Sequence, residues 1–129
     1  MRTFLHLRAR SFRFAFSGWW FVIRTQRNAW IHAMVSVAVI GVSLWLRLSP
    51  RDWAVIIIAI TMVWTAEFLN TALEAVVDLA SPQQHWLARV GKDVGAAAVL
   101  IAAVSAAIIG LLILGPPLWG RLVLLLPAR

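Results

Sequence analysis

Three apolar stretches, at residues 29–48, 53–79 and 92–114, are each about twenty residues long or more, the length a helix needs to cross a bilayer. Polar breaks separate them. Leu48-Ser-Pro-Arg-Asp52 joins the first two, with Pro50 unable to continue one helix and Ser49 able to cap the next. Ser81-Pro-Gln-Gln-His85 interrupts the second and third, and Gly115-Pro116-Pro117 closes the third. A chain so divided is expected to be an all-α integral membrane protein with three transmembrane helices. A soluble fold of 129 residues has no interior large enough for a sequence that is 62% hydrophobic and 13% charged. Length allows one domain, residues 1–129, with residues 115–129 as a tail too short to span.

Before the first span, residues 11–25 mix Phe12, Phe14, Phe16, Trp19, Trp20 and Phe21 with Arg13 and Arg24. That composition predicts an amphipathic helix lying at the membrane surface. The first 28 residues hold no uninterrupted apolar core and no cleavage site, so no leader peptide is expected. The net charge of +7 sits largely in the N-terminal segment, which suits anionic headgroups; charge is otherwise too sparse for nucleic acid. Basic residues are more numerous in that segment and around residues 80–92 than on the opposite side. The N-terminus is therefore expected in the cytoplasm, with a multi-pass chain in the cytoplasmic membrane. Cysteine is absent, which excludes disulfide and thiolate chemistry.

The polar residues of the second span carry the functional signal. Glu67, Asn70, Glu74 and Asp78 are spaced by three, four and four, which puts them on one stripe about 80° wide. Counted from Trp53 at the outer interface, Glu67 lies ~21 Å along the helix and Glu74 ~31 Å. The stripe thus descends from the cytoplasmic surface into the membrane. Acids at such depth mark functional sites; the plainer alternative is an interhelical hydrogen-bond clamp. Lys92 and Asp93 open the third span at the depth of Glu74 and Asp78. Carboxylates beside a lysine are what a magnesium–polyphosphate site requires. No Walker loop, GxGxxG or HExxH occurs. His6 and His32 have bland readings, the latter as a headgroup or helix contact, and His85 lies in the loop near the acids.

The run Glu67-Phe-Leu-Asn-Thr-Ala-Leu-Glu-Ala-Val-Val-Asp78 closely resembles the signature of the prokaryotic diacylglycerol kinases. Further matches are Ser11-Phe-Arg-Phe-Ala-Phe-Ser-Gly18, Ser81-Pro-Gln-Gln-His85 and Lys92-Asp93 with the small-residue run that follows. The resemblance implies a three-span homotrimer with a surface helix, transferring the γ-phosphate of ATP, with Mg2+, to a lipid alcohol. The Ser-Phe and Ser-Pro features look more like the undecaprenol kinase branch than the diacylglycerol kinases. It further implies Glu67 as general base and Glu74 as magnesium ligand. Asn70, Gln83, His85, Lys92 and Asp93 would serve the nucleotide. Gln26 stands where the family often has a glutamate as second metal ligand, so it would coordinate without contributing charge. Phe14 replaces a frequent tyrosine, and Ala29-Trp30 replaces an aromatic–arginine pair. Outside the kinases, the sequence leaves a small proton-coupled transporter using Glu67, or an inactive structural membrane subunit, as alternatives.

Overall fold

The computed structural model describes residues 2–81, 83 and 85–125, and the side chains of these from residue 10 to residue 124. The sequence readings that involve Pro82, Gln84 and residues 126–129, and the side chains of Arg2, His6 and Arg8, lie outside the described residues. Among the described residues, four helices follow in order: α1 (Arg2–Thr25), α2 (Arg27–Leu46), α3 (Pro50–Ala80) and α4 (Trp86–Leu125). No strand occurs among them. α2, α3 and α4 are each long and apolar enough to cross a membrane, as the three apolar stretches predict.

The breaks have local causes. Ser49 caps α3 by accepting from the Asp52 backbone N–H at 3.2 Å and donating to the Asp52 carboxylate at 2.8 Å, with Pro50 in the first turn. This pairing satisfies an otherwise orphan donor at the helix start. Arg47 takes a left-handed conformation (φ 55°) that closes α2. Between α1 and α2 a single residue, Gln26, is extended (φ −100°, ψ 117°) and makes no side-chain cap. Its amide therefore remains available to reach across to α3.

Three boundaries differ from expectation: α1 begins at Arg2 rather than at residue 11, and both ends of the third span move. The sequence predicts the third span over 92–114, but α4 starts at Trp86 and continues through Pro116 and Pro117 to Leu125. At its start His85 acts as cap, its Nδ1 accepting from the Leu87 backbone N–H at 3.2 Å. The ring nitrogen accepts here in place of the usual cap oxygen, and the polar composition of 81–85 conceals it. At the far end Pro116 and Pro117 both lie inside α4: proline's fixed φ is compatible with a helix, although each lacks the N–H for one backbone bond. Residues 115–125 therefore belong to a helix of 40 residues rather than to a separate tail. At 1.5 Å per residue that helix is ~60 Å long, about twice the hydrocarbon thickness. Arg121 on this extension lies 5.8 Å from the Trp45 ring near the end of α2.

α3 and α4 form the most extensive pair. The small residues of α4 make this possible: Gly95 lies directly against the Asn70 side chain, and a Cβ there would also sit 3.2 Å from Leu73. Without a hydrophobic drive inside lipid, close backbone approach and dispersion hold such helices together. A second packing centre forms where the C-terminal turns of α1 meet α2 and α3. Val22, Ile23 and Ala29 are buried there against Trp64 and Phe68. Trp64 is its hub: the indole stacks on Trp19 of α1 at 6.3 Å, meets Phe68 at 6.0 Å and donates to Ser36 Oγ of α2 at 3.2 Å. Trp64→Ala is expected to cost about 3 kcal/mol, from lost packing and an orphaned serine. The check is an earlier unfolding midpoint in mixed micelles with faster proteolysis of α1. An unchanged midpoint would remove Trp64 as the tie between the three helices.

Candidate active site

α3 presents its stripe inward and toward one end of the molecule. Glu67 is the deepest member, 1% exposed, and is one of the most buried side chains among the described residues. It lies on the same helix as Trp64 and Phe68, which form part of the α1–α2–α3 packing centre, while Thr71 donates to its backbone carbonyl at 2.9 Å. Its Oε2 is sealed from solvent and has no hydrogen-bond partner among the described residues. His32 of α2 faces it, with Nε2 3.8 Å from that oxygen. A carboxylate without water or a full complement of donors is a high-energy arrangement, kept where chemistry uses it.

One to two turns further along, Glu74 accepts from two amides. Asn70 Nδ2 donates to Oε1 at 3.1 Å, and Gln26 Nε2 donates to Oε2 at 3.4 Å. The structure thus brings Gln26 beside Glu74 although 48 positions separate them. The Asn70 Oδ1 is meanwhile buried without a partner among the described residues, pressed toward Gly95. Rotating either amide by half a turn exchanges its oxygen for its nitrogen. Two amide oxygens and a carboxylate would then face one another, which is stable only around a cation. The donors are hard oxygens, and the single charge leaves room for phosphate and water, the usual company of magnesium. The residues therefore fit a magnesium ion carried in with a polyphosphate. Among the described residues no cluster of three or more His, Cys, Asp or Glu can hold a metal alone.

Beyond Glu74 the stripe opens into a polar cleft of about 600 Å³ between the end of α3 and the start of α4. Gln83, His85, Lys92 and Asp93, all named from the sequence, line it together with Asp78 and Arg89. Lys92 forms an ion pair with Asp78. His85 uses Nδ1 as the α4 cap, which directs its Nε2 away from that helix. The ring stacks on Trp86 at 6.3 Å. The eight residues named from the sequence therefore fall into three groups along one face: Glu67, then Asn70–Glu74–Gln26, then the Lys92–Asp93 cleft with Gln83 and His85. A separate apolar groove of about 730 Å³ runs between α3 and α4, with Asn70 and Gly95 at one end of it.

Sequence reasoning misses His32. The sequence suggests a headgroup or helix contact, yet the imidazole faces Glu67 with 15% of its side chain exposed. The signal is there to be used: an ionisable residue within an apolar span is itself a reason to look for a partner. In the sequence Gly95 is only one of many small residues. Its particular role, making room for Asn70, depends on which α4 residue meets which α3 residue, and spacing alone does not give that.

Three helices of membrane-spanning length and composition, one of them carrying this polar ladder, define a membrane protein. The sequence model of the prokaryotic diacylglycerol kinases matches residues 13–114. The chain belongs to that family. It is 45% identical over 114 residues to a diacylglycerol kinase of Synechocystis, covering 88% of this chain and 65% of the other. It is 41% identical over 109 residues to an undecaprenol kinase of Bacillus subtilis, covering 84% and 89%. Against a diacylglycerol kinase of Escherichia coli the identity is 37% over 90 residues, covering 64% and 73%. Most of α1, all of α2 and α3, and α4 up to Leu114 lie within the family match, whereas residues 115–125 lie beyond it.

Proposed function

We propose that this chain is an ATP- and magnesium-dependent kinase of the cytoplasmic membrane that phosphorylates a lipid alcohol, with undecaprenol as the preferred acceptor. The observation that carries the reading is the order of groups along α3: a sealed carboxylate, then an amide–carboxylate cluster, then a polar cleft with a lysine. Glu67 lies about 10 Å from Glu74 along the helix. A lipid hydroxyl and the terminal phosphate of ATP can meet between them.

Lys92 exchanges its Asp78 partner for phosphate oxygens, as a point charge does readily. His85 Nε2, Gln83 and Asp93 bound the nucleotide in the cleft. Magnesium, held by Glu74 with the amide oxygens of Asn70 and Gln26, would offset charge on the phosphates. Glu67 accepts the hydroxyl proton as the new O–P bond forms and the bond to the ADP oxygen breaks. Little covalent work is asked of the protein; positioning and electrostatics carry the transfer. The N-terminus and the 81–85 loop lie on the cytoplasmic side, where ATP is. The assembly we propose is a homotrimer.

The acceptor is tested by competition. Undecaprenol and diacylglycerol are offered at equal mole fraction in lipid micelles with labelled ATP, and label is measured in each product. Faster labelling of undecaprenol is expected, in line with the similarity to the Bacillus subtilis protein over 89% of that protein's length. Faster labelling of diacylglycerol would reverse the choice and favour the activity for which the Synechocystis relative is named.

Gln26 supplies a second prediction. Gln26→Glu restores a charge beside Glu74 and is expected to lower the magnesium concentration for half-maximal rate by about tenfold, the effect of roughly 1.4 kcal/mol of added attraction. An unchanged magnesium dependence would place Gln26 outside the metal's reach.

A further inference from the structure

We propose that His32 is a positioning residue for Glu67: its imidazole Nε2–H holds Oε2 of the carboxylate, so that the other oxygen is presented to the acceptor hydroxyl. This inference rests on the kinase reading above. It starts from two orphans that face each other. His32 Nε2 and Glu67 Oε2 are each sealed from solvent, and neither has a hydrogen-bond partner among the described residues. They stand 3.8 Å apart, with 15% and 2% of their side chains exposed. A movement of less than ~1 Å brings them to hydrogen-bond distance.

Trp64 meets the His32 ring nearly edge-on, with centroids 6.4 Å apart and planes at 68°. Trp64 is itself fixed by its bond to Ser36 and by stacking on Trp19. The imidazole is thus braced on one side while its nitrogen points at the carboxylate. A glutamate needs such a partner, because its terminal torsion is broad and roughly two-fold. Without a donor on one oxygen the carboxylate plane can turn, and both oxygens lose their aim. A misplacement of about 1 Å at a reacting group costs roughly a hundredfold in rate.

The test compares His32→Phe, which keeps a ring and loses both nitrogens, with His32→Gln, whose amide can donate from a similar position. Steady-state rates are measured on the full-length protein in lipid micelles with ATP, magnesium and the better acceptor. For His32→Phe the expected result is a fall in kcat of about 10- to 100-fold, with KM for ATP unchanged. His32→Gln should recover kcat to within about threefold of the parent. In a Glu67→Gln background, His32→Phe should lower the residual rate no further, because the two residues act as one unit.

Three results would overturn the proposal: an undiminished kcat in His32→Phe, equal losses in both variants, or a further loss in the Glu67→Gln background. Each leaves the kinase reading standing as long as the parent labels lipid. A parent that labels neither acceptor would remove both together.

Discussion

Glu67→Gln is expected to lower lipid phosphorylation by roughly 10²- to 10⁴-fold, the usual contribution of a positioned general base, while the protein stays folded. The two halves of that expectation have separate grounds. Glutamine matches glutamate in shape, so the packing of α1, α2 and α3 around position 67 is undisturbed. It also replaces a buried carboxyl group whose Oε2 has no hydrogen-bond partner among the described residues, which leaves stability unchanged or raised. The chemistry has no such tolerance, because an amide cannot accept the hydroxyl proton. Affinity for ATP should hold, since the cleft proposed for the nucleotide includes Asp78 and Lys92, beyond Glu74 on the far side from Glu67. Kinetics and unfolding measured on one preparation check both halves. A variant with normal kcat would dismiss Glu67 as base, and one that unfolds early would mark it as structural.

The second large effect is expected at Gly95. In Gly95→Ala the new methyl group would occupy the space of the Asn70 amide oxygen and crowd Leu73 at 3.2 Å. Either α3 and α4 separate or Asn70 swings away, and then its bond to Glu74 is lost. Overpacking of this kind costs about 1–3 kcal/mol. The larger consequence is catalytic: with Asn70 displaced, the oxygen set around Glu74 is incomplete. The rate should fall by about 10- to 100-fold, and more magnesium should be needed. Gly91→Ala provides the control on the same helix. Its methyl group would meet only Val77 Cγ2, at an ordinary 3.8 Å. It should be silent in both rate and stability. Equal effects at the two glycines would show that helix approach in general, rather than the Asn70 contact, is what matters at Gly95.

Much of this arrangement can be read in the sequence because a membrane-length span reports polar residues so clearly. Each polar group in an apolar helix is costly, so Glu67, Asn70, Glu74 and Asp78 recurring on one face point to a shared polar surrounding. The helix start at Ser49-Pro50 is equally legible, since capping chemistry is local. What the sequence conceals depends on neighbours far along the chain. His32 gains its meaning only from α2 lying against α3. Gly95 gains its meaning only from the register between α3 and α4. At Pro116 and Pro117 the local signal misleads instead, since α4 continues through both prolines to Leu125. Gln26 is legible only through a family resemblance, and the extended link it occupies explains why its side chain can reach Glu74.

The central claim is that aqueous ATP and a membrane alcohol meet along the α3 stripe. Label transfer tests it most directly. The purified protein in lipid micelles is given magnesium and ATP labelled at the γ-phosphate, and the organic phase is counted in the presence of either lipid alcohol. Label should enter the lipid with at least one acceptor and should fall by at least about a hundredfold in Glu67→Gln. If no label reaches either lipid while the protein remains folded, the claim is wrong, and Glu67 belongs to a transporter or to a structural subunit.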